Sequence, residues 1–183
     1  MRFARIVPPA TSRPAEQPFR SLGAQAVDAV LGDGLARGLL HEIYAMEEGD
    51  SAAVAGFAAA VAACLGDASQ TSLWLRPLRA VRSGGLIQAN GWVELGGSLS
   101  NVLIGQLPDG RALLRAAVDA LRCPALGAVI VESWGTMREL DLTASRRLAL
   151  AAEKSGVPLL LLRIDATPVP SAAQTRWQVA SAP

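Results

Sequence analysis

Lys154 is the only lysine in this 183-residue chain, and its position limits what the most suggestive stretch of sequence can do. His41-Glu42-Ile43-Tyr44-Ala45 reads as a strand that runs into a turn, Met46 to Ala52, and then into a helix rich in Ala and Val. Strand, turn and helix in that order is how an ATP-binding P-loop begins. Such a loop needs a second glycine in its turn, followed by Lys and Ser or Thr. The ammonium rests on the β- and γ-phosphates, and the hydroxyl holds Mg²⁺. This turn instead carries Glu47, Glu48 and Asp50, and no cation. The frame of a nucleotide site is there without its phosphate chemistry.

Other chemistry-bearing residues are sparse. His41 is the single histidine, with no Ser or Cys partner in its sequence context, so a catalytic role is not expected of it. Cys64 and Cys123 stand apart in apolar helical surroundings; they suggest two small buried thiols, with no metal cluster and no disulfide framework. Arg111, Arg115 and Arg122 recur along one stretch and make either a basic stripe or an ordinary solvated helix face.

Composition bounds the rest. At 19.0 kDa the chain is long enough for one domain with a real core. Apolar residues make up 51% but aromatics only 4%, so Ala, Leu and Val must do the packing. A net charge of +1 argues neither for nor against a nucleic-acid partner. Sixteen arginines against one lysine suit a GC-rich genome better than a special phosphate-binding role. No apolar signal-peptide segment stands in the first twenty residues, and the run from Ala52 to Gly66 is too short and alanine-rich for a membrane span. A cytoplasmic protein with no membrane contact is expected.

The elements that would position these residues follow from pattern. Residues 1–20, with Pro8, Pro9, Pro14 and Pro18, predict an extended arm, and residues 21–183 a single domain. A short helix at Ala24–Leu31 is closed by Gly32 and Gly34, and strands are expected at Leu39–Ala45 and Thr71–Leu75. Between those strands, Ala52–Leu65 is apolar on nearly every face, which marks a buried helix. The glycine-rich stretch from Val81 to Ser100 is poorly patterned, with a short strand at Trp92–Leu95. Asn101–Gly105 predicts a strand, and Asp109 caps a helix with Leu114, Ala117, Val118 and Leu121 inward. Leu126–Val131 and Val157–Ile164 read as fully apolar strands around a helix at Thr143–Ser155, and Gln174–Val179 as one more strand. Alternating strands and helices predict an α/β fold: a mostly parallel sheet with helices on both faces.

The residues resemble the RecA-type ATPase core over roughly residues 22–180. Glu42-Ile43-Tyr44 matches the strand that opens its P-loop, and Asn101-Val102-Leu103-Ile104 with Gln106-Leu107-Pro108-Asp109-Gly110 a later strand and turn. Ala128-Val129-Ile130-Val131-Glu132-Ser133 occupies the Walker B strand. Within that superfamily the chain is similar to the ImuA family, RecA-like accessory proteins of a bacterial damage-induced mutagenesis cassette. Leu140-Asp141-Leu142-Thr143-Ala144-Ser145-Arg146-Arg147-Leu148 and Pro170-Ser171-Ala172-Ala173-Gln174-Thr175-Arg176-Trp177 carry that similarity most specifically. The division inhibitor SulA belongs to the same degenerate RecA-like group.

The resemblance implies a RecA-like core with a degenerate nucleotide turn. Ala45 stands at the first P-loop glycine, Asp50 at the second, Ser51 at the lysine and Ala52 at the Mg²⁺-binding hydroxyl. Losing the lysine removes charge-assisted hydrogen bonds of roughly 1.5–3 kcal/mol, and Glu47, Glu48 and Asp50 add repulsion. Glu132, at the Walker B position, could still hold a metal, but Arg76-Pro77-Leu78-Arg79 offers no carboxylate to activate a water. A pseudo-ATPase without cofactor is expected. The single-stranded DNA loops of the family are thin here; Arg138, Arg176 and Trp177 are the candidate DNA or partner contacts, an Arg–aromatic pair being able to stack on and neutralise a strand.

The partners implied are an ImuB-like, Y-family polymerase adaptor and, through it, an error-prone replicative-type polymerase and the sliding clamp, with association with RecA or with itself also open. The family normally continues past the equivalent of Pro183 with a strand pair and tail. Two alternatives remain: a divergent ATPase or recombinase that binds nucleotide and single-stranded DNA, and a SulA-like inhibitor of division.

Overall fold

The β-branched and leucine-rich runs in the second half of the chain build the centre of one sheet. A computed structural model describes residues 19–181, apart from Asp33, Met46 and Ala68. The expected arm lies almost wholly outside those residues. Its last two, Phe19–Arg20 (β1), pair antiparallel with Leu35–Ala36 (β2) across the short helix Gln25–Leu31 (α1). That hairpin was not expected from sequence. It closes tightly because Gly34 sits at φ +102°, where a Cβ would collide with the Arg20 carbonyl.

Six further strands form the main sheet: Leu40–Ala45 (β3), Thr71–Pro77 (β4), Val102–Leu107 (β5), Leu126–Trp134 (β6), Leu159–Ile164 (β7) and Thr175–Gln178 (β8). Their order is β5-β4-β6-β7-β3-β8, and every pairing is parallel. The α/β expectation therefore holds, and the sheet is parallel throughout.

Two faces follow from the period-2 alternation of strand side chains. One face presents Ile43, Trp74, Ile130, Leu160 and Leu162 to Ser51–Leu65 (α2). The other presents Val129, Val131, Leu159 and Leu161 to Gly110–Ala120 (α5) and Leu142–Ser155 (α6). The cap expected for α5 forms, Asp109 accepting from the Ala112 N–H; α6 is capped by Asp141, which accepts from the Ala144 N–H, and ends at Gly156 at φ +74°. In α5 the inward positions shift by one residue at the start; Leu113, Ala117 and Leu121 are buried, while Leu114 and Val118 are half-buried.

Three expectations need correction. Trp92–Leu95 is not a strand: Ala89–Glu94 (α4) is helical and follows a short helix, Ala80–Gly84 (α3). Strand β7 is not wholly apolar, because Arg163 lies in it, buried. The apolar run around α2 is longer than expected. With the 3-10 turn Glu48–Asp50 it makes an 18-residue helical segment, Glu48–Leu65, long and apolar enough to cross a membrane by length and composition. Its place is on the sheet, where Val54, Ala58, Val61, Ala62 and Leu65 are buried; small side chains let it lie close to the strands.

Candidate functional site

In a parallel sheet all strands end on one side, and ligand crevices lie at those carboxyl ends. Here β3, β4, β6 and β7 deliver Ala45, Arg76, Glu132, Trp134 and Ile164 to that edge. On the α2 face they meet the N-terminal half of that helix. A cleft of about 230 Å³ opens between them, lined by Ser51, Ala52, Trp74, Arg76, Trp92, Glu132 and Trp134 among others. The fold thus brings together Ser51, Ala52 and Glu132, three of the positions the resemblance points to, with Ala45 buried close by in the same core.

The chemistry of the cleft is fixed by Glu132. The residue is 3% exposed, yet three donors reach its carboxylate. Oε1 accepts from Arg76 Nη2 at 3.0 Å and from the Trp134 indole N–H at 2.6 Å, and Oε2 accepts from the Trp74 indole N–H at 3.1 Å. Arg76, 4% exposed, also donates to the carbonyls of Gly85 and Ala80, which tethers α3 over the strand ends. Arg79 adds a 2.6 Å bond to the Trp134 carbonyl. Gly84 packs so closely on Trp134 that a Cβ there would lie 2.6 Å from the ring. A carboxylate held by an arginine and two indoles has its charge compensated and most of its acceptor sites occupied, unlike one kept open for a metal.

Among its described residues the turn carries no cationic side chain to hold a phosphate. Glu47, Glu48 and Gly49 are exposed. Asp50 does not cap α2 with its side chain; its Oδ1 accepts from the Ser181 N–H at 2.8 Å and so pins the end of the described chain. Among the described residues lining the cleft, the only cation is Arg76, and Glu132 engages it.

The remaining candidates lie elsewhere. Arg176 and Trp177 are neighbours in β8 and face opposite sides of the sheet. Arg176 reaches Glu42 (Nε to Oε2, 2.9 Å), the Val169 carbonyl and the Ser171 hydroxyl. Trp177 is 7% exposed, with its ring 5.3 Å from that of Phe57. The expected Arg–aromatic pair therefore presents no common surface to a nucleic-acid strand, since strand alternation separates the two side chains. Arg138 is exposed on the loop after β6 and lines a second cavity, on the α6 face.

Sequence reasoning missed the buried polar groups that organise the strand ends. His41 is buried; its Nε2–H donates to the Ala36 carbonyl, so Nδ1 accepts from the Thr175 hydroxyl, which in turn accepts from the Trp177 indole. Burial lowers its pKa to about 4, a shift opposed by the Ala36 hydrogen bond. Burial, then the neighbouring Glu42 carboxylate, pushes Tyr44 up to about 12, and its hydroxyl donates to Glu42. A lone charged residue inside an otherwise apolar run (Glu42, Glu132, Arg163) was the available signal, because a buried charge demands a partner.

No family model matches the chain, and no curated protein matches it. Among solved structures, the crystal structure of SulA from Pseudomonas aeruginosa is similar over 68% of this chain and 97% of that one, at 20% identity and a TM-score of 0.48. A likeness of that strength concerns the path of the chain and carries no function with it.

Proposed function

We propose that this protein is a non-catalytic α/β scaffold that acts by binding other proteins. The observation that carries this reading is the engagement of Glu132 by Arg76, Trp74 and Trp134 beside a turn of three carboxylates. A polyphosphate placed there would meet negative charge at the turn and an apolar, tryptophan-lined cleft behind it. The motif similarity to the ImuA family supplies the setting: DNA-damage-induced mutagenesis and translesion synthesis, with a Y-family, polymerase-like adaptor as the direct partner. RecA-like ancestry of the fold belongs to the same proposal.

The test has two arms. Titration of ATP–Mg²⁺ against the purified chain, followed by calorimetry, should show no binding at millimolar nucleotide. The triple variant Asp50→Gly, Ser51→Lys, Ala52→Thr should behave as wild type in a complementation assay for induced mutagenesis, with the adaptor still captured in a pull-down. Micromolar nucleotide binding would overturn the scaffold reading in favour of a divergent ATPase. Capture of a tubulin-like polymer in place of the adaptor would favour an inhibitor of division.

A further inference from the structure

On the α6 face, the loops that leave β6 and β7 enclose a second cavity, of about 510 Å³. Its walls are largely apolar, with Met137, Leu140, Leu142 and Val169 among them, and Arg138 also lines it. Arg163, 3% exposed, lines it as well. Neither Nε nor Nη1 of Arg163 makes a hydrogen bond within the described protein; the Glu42 carboxylate oxygen stands 3.8 Å from Nη1, beyond hydrogen-bond reach.

Glu42 is already shared. Its Oε2 takes the Arg176 Nε and the Tyr44 hydroxyl, and the Arg163 guanidinium lies 5.6 Å from the centre of the Tyr44 ring. One buried carboxylate therefore serves two guanidiniums, which leaves a positive charge in excess where burial makes it costly. The acid on the cavity wall does not relieve it: Asp141 turns its carboxylate to the Ala144 N–H as the cap of α6. A buried guanidinium whose N–H groups are not all paired, beside an apolar hollow, is complementary to a carboxylate borne on an apolar body.

We infer that this cavity binds a carboxylate flanked by apolar side chains, presented by a peptide segment of a partner protein and received by Arg163 with Arg138. The apolar lining favours a peptide over nucleic acid, whose backbone needs a row of cations along an open groove and whose bases need aromatic platforms. Among the described residues, neither aromatic side chains nor further cations line this cavity. The inference goes beyond the scaffold reading and requires neither a polymerase partner nor the absence of nucleotide.

The experiment is a titration of the full chain followed by ¹H–¹⁵N NMR, including the arginine Nε–H signals. The probes are acetyl-Leu-Leu as the free acid, its C-terminal amide, acetyl-Leu-Asp-amide, inorganic phosphate and a short thymidine oligonucleotide. Either carboxylate probe should shift the Arg163 Nε–H and the loops at residues 136–142 and 166–170, the better of the two telling a terminal from a side-chain carboxylate. The neutral amide should bind roughly tenfold or more weakly, the loss expected for a charge-assisted bond. Arg138→Ala, at an exposed site, should weaken the carboxylate and leave the amide unchanged. Equal binding of acid and amide, no shift at tens of millimolar acid, or tighter binding of phosphate or oligonucleotide overturns the inference.

Discussion

Glu132→Gln removes the negative charge from a buried polar cluster at the strand ends. The Gln oxygen can still accept from Arg76 and Trp134, but its amide then faces the Trp74 N–H, donor against donor. Arg76 would keep its two carbonyl partners without a counter-charge, at 4% exposure. Breaking a buried pair from one side costs about 3–5 kcal/mol, a large share of the roughly 5–15 kcal/mol that holds a domain folded. Urea unfolding followed by tryptophan fluorescence suits the test, since Trp74 and Trp134 contact the altered group. At a slope near 2 kcal/mol per molar urea, the midpoint should fall by about 2 M. Arg76→Met alone should cost a similar amount, while the double variant should cost less than the sum by about 2–3 kcal/mol. A Glu132→Gln protein as stable as wild type, or more stable, would refute the reasoning. That outcome is expected of a carboxylate kept for chemistry rather than for the fold.

Two further predictions concern other buried positions of the sheet. Because His41 titrates at about 4 when folded and at 6.5 as an ordinary histidine, the unfolded chain takes up its proton first as pH falls. Stability should therefore drop by about 3 kcal/mol between those values; His41→Gln should remove that slope, and equal slopes in the two proteins would count against a buried neutral imidazole. Gly84→Ala should destabilise by about 1–3 kcal/mol despite the better helix propensity of Ala, since its Cβ would meet a Trp134 ring that Glu132 holds in place; a raised melting temperature would contradict this.

What the sequence disclosed was whatever rested on neighbours along the chain. Asp109 announced α5 because a cap acts within three residues, and the apolar runs of β6 and β7 announced strands buried on both faces. Trp92-Val93-Glu94-Leu95 looked like a strand because large and β-branched side chains alternate there. Contact with α2 and a bond from the Trp92 indole to the Ser98 carbonyl hold it as a helix instead. The site was half legible. The acidic turn could be read directly, but the partner that occupies Glu132 lies 56 residues away in Arg76, and only the parallel register of β4 and β6 brings the two together. Arg163 was passed over inside a leucine run, and its relation to Glu42 depends on β3 and β7 being adjacent.

The strand order also has a consequence for how the chain comes into being. Strand β3 lies between β7 and β8, pairing Leu40 with Leu159 and His41 with Thr175, so both of its neighbours are synthesised after every other strand described. For roughly ten seconds on a ribosome, β3 and the alanine-rich α2 would exist with no sheet to receive them. Folding should therefore wait for β7 and β8, be slow for a sheet of this size, and depend on long-range closure more than on any early helix. Variants that shorten or weaken β8 would be felt first as nascent chains that fail to mature, before any loss in the finished protein.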